Sequence, residues 1–218
     1  LKKRSQRIPL QHLTNVVHFY SHDFISDHRA LIPRPESEEL VSLVLKETFP
    51  KPARILDLGC GSGVLGLSLA KALGTDCEQL VLADLSTEAL SLAKENAEAL
   101  QVPAEIVQSN LFLGLEGRFD LIIANLPYIG ESEREDLSKE VRHDPEIALF
   151  SGSDGLDLLR LFASQCSPFL NSGGLIALEV GHSQGETVCD LLRGGGMTEI
   201  SLRSDLNDIP RFPLARMG

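Results

Sequence analysis

Short apolar stretches alternate with amphipathic ones from residue 53 onward, and this alternation restricts the fold more than any other feature of the chain. Strands are predicted where a short apolar run is bounded by polar residues or glycine, and helices where apolar residues recur at helical spacing. The predicted strands are 55–58, 80–84, 105–108, 119–124, 175–180, 199–203 and 212–215. The predicted helices are 64–73, the segment that follows Ser86, 156–170 and 184–192. This order indicates an α/β fold with a seven-stranded, mostly parallel sheet that has helices on both faces.

The residues before this pattern contain two β-prone stretches, 16–20 and 24–26, which predict a short β-hairpin. Pro33-Arg34-Pro35 then ends any strand. Pro35 suits the first turn of a helix, because first-turn N–H groups have no helical partner. We therefore expect an N-terminal arm over residues 1–34 and one α/β domain over residues 35–218.

The chain is acidic, with 31 Asp and Glu against 20 Lys and Arg and a formal charge of −11. An acidic excess repels a phosphate backbone, so direct nucleic-acid binding is not expected. The one basic cluster, Lys2-Lys3-Arg4 with Arg7, lies at the start and is interpreted as a solvated segment. No apolar run reaches the length of a membrane span and no signal peptide is evident, so we expect a cytoplasmic protein with no membrane partner.

The cysteines and histidines do not indicate a metal site. The histidines are scattered, and the cysteines have neither C-x-x-C pairs nor zinc spacing, so they are expected as free thiols. The cysteines are Cys60, Cys77, Cys166 and Cys189.

A glycine-rich turn, Asp57-Leu58-Gly59-Cys60-Gly61-Ser62-Gly63, follows the first strand and leads into a helix. Glycines at this place let the backbone turn tightly and let a ligand approach without Cβ atoms in the way. The spacing is G-x-G-x-G with an acid two residues before the first glycine, which differs from the G-x-G-x-x-G of dinucleotide folds. Taken alone, the segment can also be a simple turn without a ligand.

Asp84 closes the second predicted strand, at the place where an acid binds ribose hydroxyls in this architecture. Together with the glycine turn, it favours adenosine with a small cationic tail over NAD as the ligand. After the third strand, the Asn110 side chain can accept a hydrogen bond from an adenine amine, and Leu111 and Phe112 can pack on the purine. The alternative for 110–112 is a polar strand end followed by core residues.

Asn125-Leu126-Pro127-Tyr128 follows the fourth strand and is the most informative tetrapeptide in the chain. A planar amino nitrogen, such as a glutamine side-chain amide, can donate to the Asn125 side-chain oxygen and to the Leu126 carbonyl. Pro127 keeps Leu126 out of the helical region, so that carbonyl is held in an extended direction. Tyr128 offers a flat face for stacking. A strand-terminating turn with a buried tyrosine is the alternative interpretation.

With these segments in place, the chain resembles the HemK family of release factor glutamine methyltransferases, from about Pro9 to Gly218. Residues 31–38, LIPRPESE, are close to the family's I-P-R-P-E-T-E, and 140–149, Gly155-Leu156-Asp157 and Gly173-Gly174 with Glu179 also match its pattern. The resemblance implies a Rossmann-like class I methyltransferase that methylates N5 of the glutamine in the Gly-Gly-Gln motif of peptide-chain release factors. It implies S-adenosylmethionine as the methyl donor and S-adenosylhomocysteine as the product.

The resemblance also implies two sets of site residues. The glutamine is expected at Asn125, Leu126, Pro127 and Tyr128. S-adenosylmethionine is expected at Gly59, Cys60, Gly61, Ser62, Gly63, Asp84, Asn110, Leu111 and Asn125, with no metal in the site.

The sequence departs from the family pattern in three places. Leu126 replaces the first proline of N-P-P-Y, which should keep the backbone carbonyl contact in a less rigid loop. Asn110-Leu111 replaces the usual Asp-Trp, which leaves the adenine contact open. Family members carry a helical N-terminal domain that helps to dock the release factor, so residues 1–34 are interpreted as the remnant of a linker to such a domain.

Other activities fit the same motifs. A glutamine methyltransferase acting on a ribosomal protein would share nearly all of them, and an adenine-N6 methyltransferase would use a similar tetrapeptide on a flipped base. The acidic charge disfavours the nucleic-acid substrate. A binding module that retains the cofactor cleft without catalysis is a further alternative, and the loop spacing disfavours an NAD dehydrogenase.

Overall fold

The central strands are buried along nearly their whole length because helices cover both faces of the sheet. The computed structural model describes residues 2–5 and 7–218, and all six residues of the strand Phe119–Ala124 are buried in it. The helices are α1 (Lys2–Ser5), α2 (Leu10–Thr14), α3 (Pro35–Val44), α4 (Val64–Leu73), α5 (Thr87–Ala99), α6 (Asp157–Gln165) and α7 (Gly185–Gly194). The strands are β1 (Val16–Phe19), β2 (His22–Ile25), β3 (Ala53–Leu58), β4 (Cys77–Asp84), β5 (Glu105–Gln108), β6 (Phe119–Ala124), β7 (Leu170–Leu178), β8 (Met197–Ser204) and β9 (Pro210–Met217).

The main sheet has seven strands in the order β5-β4-β3-β6-β7-β9-β8. The pairs from β5 to β7 are parallel, and β9 is antiparallel to both β7 and β8. The predicted seven-stranded, mostly parallel sheet is therefore confirmed. The chain places β4 and β5 on one side of β3 and β6 and β7 on the other, so the strand order reverses between β3 and β6. Ligands bind α/β sheets at this kind of position, outside the carboxyl ends of the strands.

Two apolar clusters fill the spaces on the two faces of the sheet. One cluster joins β3, β4 and β6 to α3, α4 and α5, with Leu40 and Leu67 fully buried. The other joins the opposite faces of the same strands to α6 and α7, with Phe162 and Leu192 fully buried. The predicted helices on both faces are confirmed, and they bury a core that holds the strand ends rigidly in place.

The N-terminal hairpin of β1 and β2 packs onto this core. Phe19 and Phe24 are buried against one another edge to face, with ring centroids 6.1 Å apart. Asn96 of α5 fixes the hairpin, because its Oδ1 accepts from the Ile25 N–H at 2.7 Å and its Nδ2 donates to the Ile25 carbonyl at 3.1 Å. The same Nδ2 donates to the Ser62 carbonyl at 3.0 Å, so one buried amide links the hairpin to the glycine turn.

One segment differs from its prediction. The helix predicted over 156–170 ends at Gln165 as α6, and the strand predicted from residue 175 begins at Leu170, so Asn171-Ser172-Gly173-Gly174 belongs to β7. The register between β6 and β7 shifts here, from Phe119 opposite Leu170 to Leu121 opposite Leu175, so the extra residues form an irregularity within the strand. The Asn171 Nδ2 donates to the Asp120 carboxylate at 2.8 Å and holds this irregular stretch against β6.

Among the described helices none has the length and hydropathy that a bilayer span requires; the longest, α5, has 13 residues.

The predicted basic cluster falls partly outside the described residues, because nothing is described of the Lys2 and Lys3 side chains. Arg4 and Arg7 lie 3.5 and 3.3 Å from the half-buried Glu140 carboxylate.

Candidate functional site

A cleft of about 1060 Å³ opens at the carboxyl ends of β3, β4 and β6, where the strand order reverses. Its lining is mainly apolar with a few polar groups, which is typical of sites for small organic ligands. Ten of the residues predicted for the site line it. They are Gly59, Cys60, Gly61, Ser62, Asp84, Asn110, Leu111, Asn125, Leu126 and Pro127.

The glycine turn forms the floor of the cleft. Gly59, Gly61 and Gly63 all have left-handed backbone conformations, with φ of 70°, 55° and 81°, which glycine adopts without strain. A Cβ atom at Gly61 would meet nothing nearer than the Ala30 Cβ at 3.8 Å, so the space above this residue is open for a ligand. Gly63 does not line the cleft; its missing Cβ faces Leu67 at 3.1 Å, and it shapes the turn from behind.

Asp84 stands beside this turn at the end of β4. Its Oδ2 accepts from the Gly61 N–H at 2.9 Å and its Oδ1 from the Ser86 N–H at 2.9 Å. Each carboxylate oxygen has a second lone pair, so both can still accept from a ligand hydroxyl. Burial raises the pKa of Asp84, and the backbone hydrogen bonds from Ser86 and Gly61 oppose that rise.

The wall after β5 differs in part from the prediction. Asn110 is exposed at the edge of the cleft and Leu111 lines it with φ of 50°, but Phe112 stacks on Phe169 in the core, with ring centroids 4.7 Å apart. The expectation that Phe112 packs on a purine in the cleft is therefore wrong. Ser109, which the sequence analysis missed, lines the cleft, is 4% exposed and has no hydrogen-bond partner for its Oγ.

A second cleft of about 510 Å³ adjoins the first. It is lined mainly by apolar side chains, including Leu137 and Val141 of the segment after the tetrapeptide, and by Tyr128. Asn125 lines both clefts, as does Arg34. The structure thus places the glycine turn in the first cleft, Tyr128 in the second, and Asn125 in the lining of both.

Several contacts hold the tetrapeptide segment in place. The Leu126 side chain is buried and lies against Gly59, where an added Cβ would come within 2.9 Å of the Leu126 Cδ2. The Gln184 Nε2 donates to the Tyr128 carbonyl at 2.9 Å. Burial raises the pKa of Tyr128 to about 12, with the Glu179 carboxylate as the next cause, so the ring stays neutral.

The segment before α3 forms the opposite wall, a role that the sequence analysis did not predict. The Arg34 Nη2 lies 2.7 Å from the Asp144 Oδ2, and the Asp144 Oδ1 accepts from the Ile32 N–H at 3.2 Å. Asp144 is buried, so this ion pair joins the arm to the loop that borders the second cleft. No local pattern in the sequence marks this contact, because its partners are 110 residues apart.

The remaining candidate groups do not form a metal site. Within the described residues, no group of three or more His, Cys, Asp and Glu side chains is placed to hold a metal ion. Burial raises the pKa of Cys60 well above its ordinary value, so this thiol of the cleft stays protonated.

Comparisons with known proteins agree with this geometry. The family model of the methyltransferase small domain matches residues 37–152. The release factor glutamine methyltransferase of Deinococcus radiodurans is 41% identical over 218 residues, which are 99% of this chain and 77% of that protein. This chain belongs to the release factor glutamine methyltransferase family. The family resemblance drawn from the motifs is confirmed.

Solved structures of other proteins confirm that this member of the family has the Rossmann-like methyltransferase fold. A methyltransferase from Pyrococcus furiosus has a TM-score of 0.68 at 16% identity, with 100% of this chain and 98% of that one covered. The Thermus thermophilus 16S rRNA N2 G1207 methyltransferase, solved with AdoMet and guanosine, has a TM-score of 0.62 at 18% identity, with 93% and 50% covered. At these identities the similarity concerns the fold alone.

Proposed function

We propose that this chain transfers a methyl group from S-adenosylmethionine to the side-chain amide nitrogen of the glutamine in the Gly-Gly-Gln motif of a peptide-chain release factor. The observation that carries the proposal is the position of Asn125, which lines both the cleft over the glycine turn and the cleft beside Tyr128. A group held at Asn125 can therefore be reached from a ligand in either cleft. The family of the relatives supports the choice of glutamine and release factor.

The residues of the larger cleft fit S-adenosylmethionine. The open space over Gly61 admits a ligand next to backbone, and Asp84 has lone pairs available for the ribose hydroxyls. The buried Ser109 Oγ lacks a partner within the protein, as expected for a group that a polar ligand atom satisfies. Asn110 and Leu111 border the same cleft and are assigned to the adenine. S-adenosylmethionine, when bound, supplies an electrophilic methyl group on a sulfonium centre.

The work of the protein is then to position a weak nucleophile. An amide nitrogen is delocalised into its carbonyl, so it must be held in the correct direction. The Asn125 Oδ1 and the Leu126 carbonyl accept its two N–H groups, and the neutral Tyr128 ring provides a flat contact surface. Positioning of this kind contributes roughly 7–11 kcal/mol in favourable cases, so a strong general base is not required.

The proposed function also implies a domain organisation and a cellular location for the protein. Residues 35–218 form the methyltransferase domain, and residues 1–34 form an arm that supplies Ala30 and Arg34 to the cleft wall. Because a release factor acts on ribosomes, a cytoplasmic location is part of the proposal. The formal charge of −11 favours a protein substrate over direct binding of nucleic acid.

Methyl mapping tests the proposal. S-adenosylmethionine with a labelled methyl group is offered in parallel to a release factor, a release factor with its Gly-Gly-Gln glutamine changed to glutamate, ribosomal proteins and adenine-containing DNA and RNA. We expect label on the single glutamine, found by mass spectrometry, and none on the glutamate variant. Label on a ribosomal protein or an adenine would replace the proposed substrate. Cofactor binding without transfer to any of them would indicate a binding module.

A further inference from the structure

A buried carboxyl group, that of Glu179, lies close to Asn125 and lines neither cleft. Glu179 follows β7, and its N–H donates to the Ala124 carbonyl at 3.0 Å, so it is fixed next to the start of the tetrapeptide. Its side chain is 1% exposed. The Ser37 hydroxyl, on the first turn of α3, donates to the Glu179 Oε2 at 2.6 Å and is itself 3% exposed.

The Ser37 oxygen also contacts Asn125. The Asn125 Nδ2 donates to the Ser37 Oγ at 3.4 Å, which completes a chain of hydrogen bonds from Asn125 through Ser37 to Glu179. A hydroxyl has one proton to donate, and an ionised carboxylate can only accept. The Ser37 proton is therefore committed to Glu179, and the Ser37 oxygen can only accept from Asn125.

This order of donors determines which way the Asn125 amide faces. If the amide were turned over, its Oδ1 would meet the lone pairs of the Ser37 oxygen, and two acceptors would face each other in a buried place. The stable orientation has Nδ2 toward Ser37 and leaves Oδ1 as the free end of the amide. From these contacts we infer that Glu179 and Ser37 are positioning residues that fix the Asn125 oxygen as the acceptor for the substrate nitrogen. The inference rests on the proposed function.

The surroundings of Glu179 set the pH at which its carboxyl ionises, so that it is largely ionised only above neutral pH. Burial raises the pKa of Glu179 to about 7, and the Ser37 hydrogen bond, Arg211 and Asn125 oppose that rise while Glu36 adds to it. Arg211 of β9 lies 2.7 Å from the Asp205 carboxylate. Tyr128, on the remaining side, is neutral because its own pKa is about 12.

Protonation of Glu179 would reverse the donor and acceptor roles along the hydrogen bonds that join Glu179, Ser37 and Asn125. A protonated carboxyl can donate to the Ser37 oxygen, and the Ser37 proton is then free to turn toward Asn125. The Asn125 Oδ1 would become an acceptor for Ser37, and its Nδ2 would face the substrate as a donor. Methyl transfer should therefore rise with pH as Glu179 ionises.

Two variants and one control test this inference. Ser37→Ala removes the hydroxyl, and Glu179→Gln removes the ionisation at nearly constant volume. Ser68→Ala is the matched control, because Ser68 is also a fully buried helical serine but its Oγ has no partner in the protein. The assay measures kcat and KM for the release factor across about pH 5.5 to 8.5, and calorimetry measures the affinity for S-adenosylmethionine.

We expect Ser37→Ala to lower kcat by about 10- to 100-fold, the order that misplacing a reacting group by about an ångström produces. The affinity for S-adenosylmethionine and the KM should change little, and Ser68→Ala should match the wild type. Glu179→Gln should abolish the rise of kcat near neutral pH. A kcat for Ser37→Ala equal to that of Ser68→Ala, or an unchanged pH profile in Glu179→Gln, would overturn the inference. If Ser37→Ala does not fold, the Glu179→Gln profile decides.

A spectroscopic measurement separates this inference from the proposed substrate. The side-chain NH₂ resonances of Asn125, identified by their loss in Asn125→Asp, should shift with a midpoint near the Glu179 pKa of about 7. The shift should disappear in Glu179→Gln and in Ser37→Ala. Asn125 resonances that do not titrate in the wild type would overturn the inference even if the enzyme is active. Normal titration with no methylation of the release factor would instead contradict the proposed function.

Discussion

Asp57 is a buried charge whose effect on stability can be calculated from its surroundings. It lies at the end of β3, is 0% exposed, and its Oδ2 accepts from the Gly66 N–H at 2.8 Å while its Oδ1 has no partner. Burial raises its pKa from 3.8 to about 7, with the nearby Asp84 carboxylate adding to the rise. The Gly66 hydrogen bond acts in the opposite direction. The folded protein therefore holds this proton more tightly than the unfolded chain does.

The sign follows from proton linkage. Between about pH 4 and pH 7 the folded state carries more of this proton than the unfolded state, so the contribution of Asp57 to stability falls as pH rises through that window. Moving a pKa from 3.8 to about 7 corresponds to ~4 kcal/mol at 1.36 kcal/mol per pH unit. This loss is complete above pH 7 and absent below pH 4.

Asp57→Asn removes the ionisation and should therefore stabilise the protein at basic pH. Because the new amide also lacks one partner, we expect a gain of about 2–4 kcal/mol at pH 8 and little change at pH 4.5. Urea unfolding of the ligand-free protein at both pH values measures the difference. Asp208→Asn, at an exposed position, is the control for removing one negative charge. A difference between variant and wild type that does not depend on pH would refute the reasoning.

Two further predictions concern the cofactor cleft. Asp84→Ala should weaken binding of S-adenosylmethionine by about tenfold or more, because it removes ribose acceptors and the Gly61 contact at 2.9 Å. Unchanged affinity in calorimetry would refute the ribose assignment. Asp76→Ala, at an exposed position, is the control and should not change the affinity. Gly59→Ala and Gly173→Ala both place alanine at a left-handed φ, of 70° and 73°, which costs about 1–2 kcal/mol of stability. Only Gly59→Ala brings a Cβ within 2.9 Å of Leu126, so only it should also lower methyl transfer; equal activity of the two variants would contradict this.

The secondary structure could be predicted from the sequence wherever the local residue pattern and the tertiary environment favour the same element. The strand 119–124 and the helix 64–73 have the predicted bounds, because continuous burial and helical spacing leave clear signals. The strand 105–108 also has its predicted bounds, although its residues are only partly buried or exposed. Asn171-Ser172-Gly173-Gly174 has the composition of a turn, yet it lies within β7 because Leu170 and Leu175, on either side of it, both pair with β6. The register shift that makes this possible depends on the neighbouring strand and has no local signature.

Among the site residues, too, some could be predicted from the sequence and others could not. The glycine turn, Asp84 and the tetrapeptide could be predicted because each directly follows a strand of a parallel sheet. Ser37 and Glu179 could not be paired from sequence, because they are 142 residues apart and meet only when α3 packs beside β7. Ser109 also lines the cleft, although its sequence position gives no sign of a buried hydroxyl without a partner.

In the proposed reaction, the Asn125 side chain holds the substrate nitrogen between the two clefts whose lining it shares. The most direct test of this role compares Asn125→Ala with the wild type in single-turnover methylation of a release factor, with the affinity for S-adenosylmethionine measured on the same samples. We expect turnover to fall by about 100-fold or more, because removing one preorganised hydrogen bond at a reacting group has an effect of this size. The affinity for the cofactor should change little. Turnover close to that of the wild type in Asn125→Ala, with the cofactor bound equally well, would contradict this role.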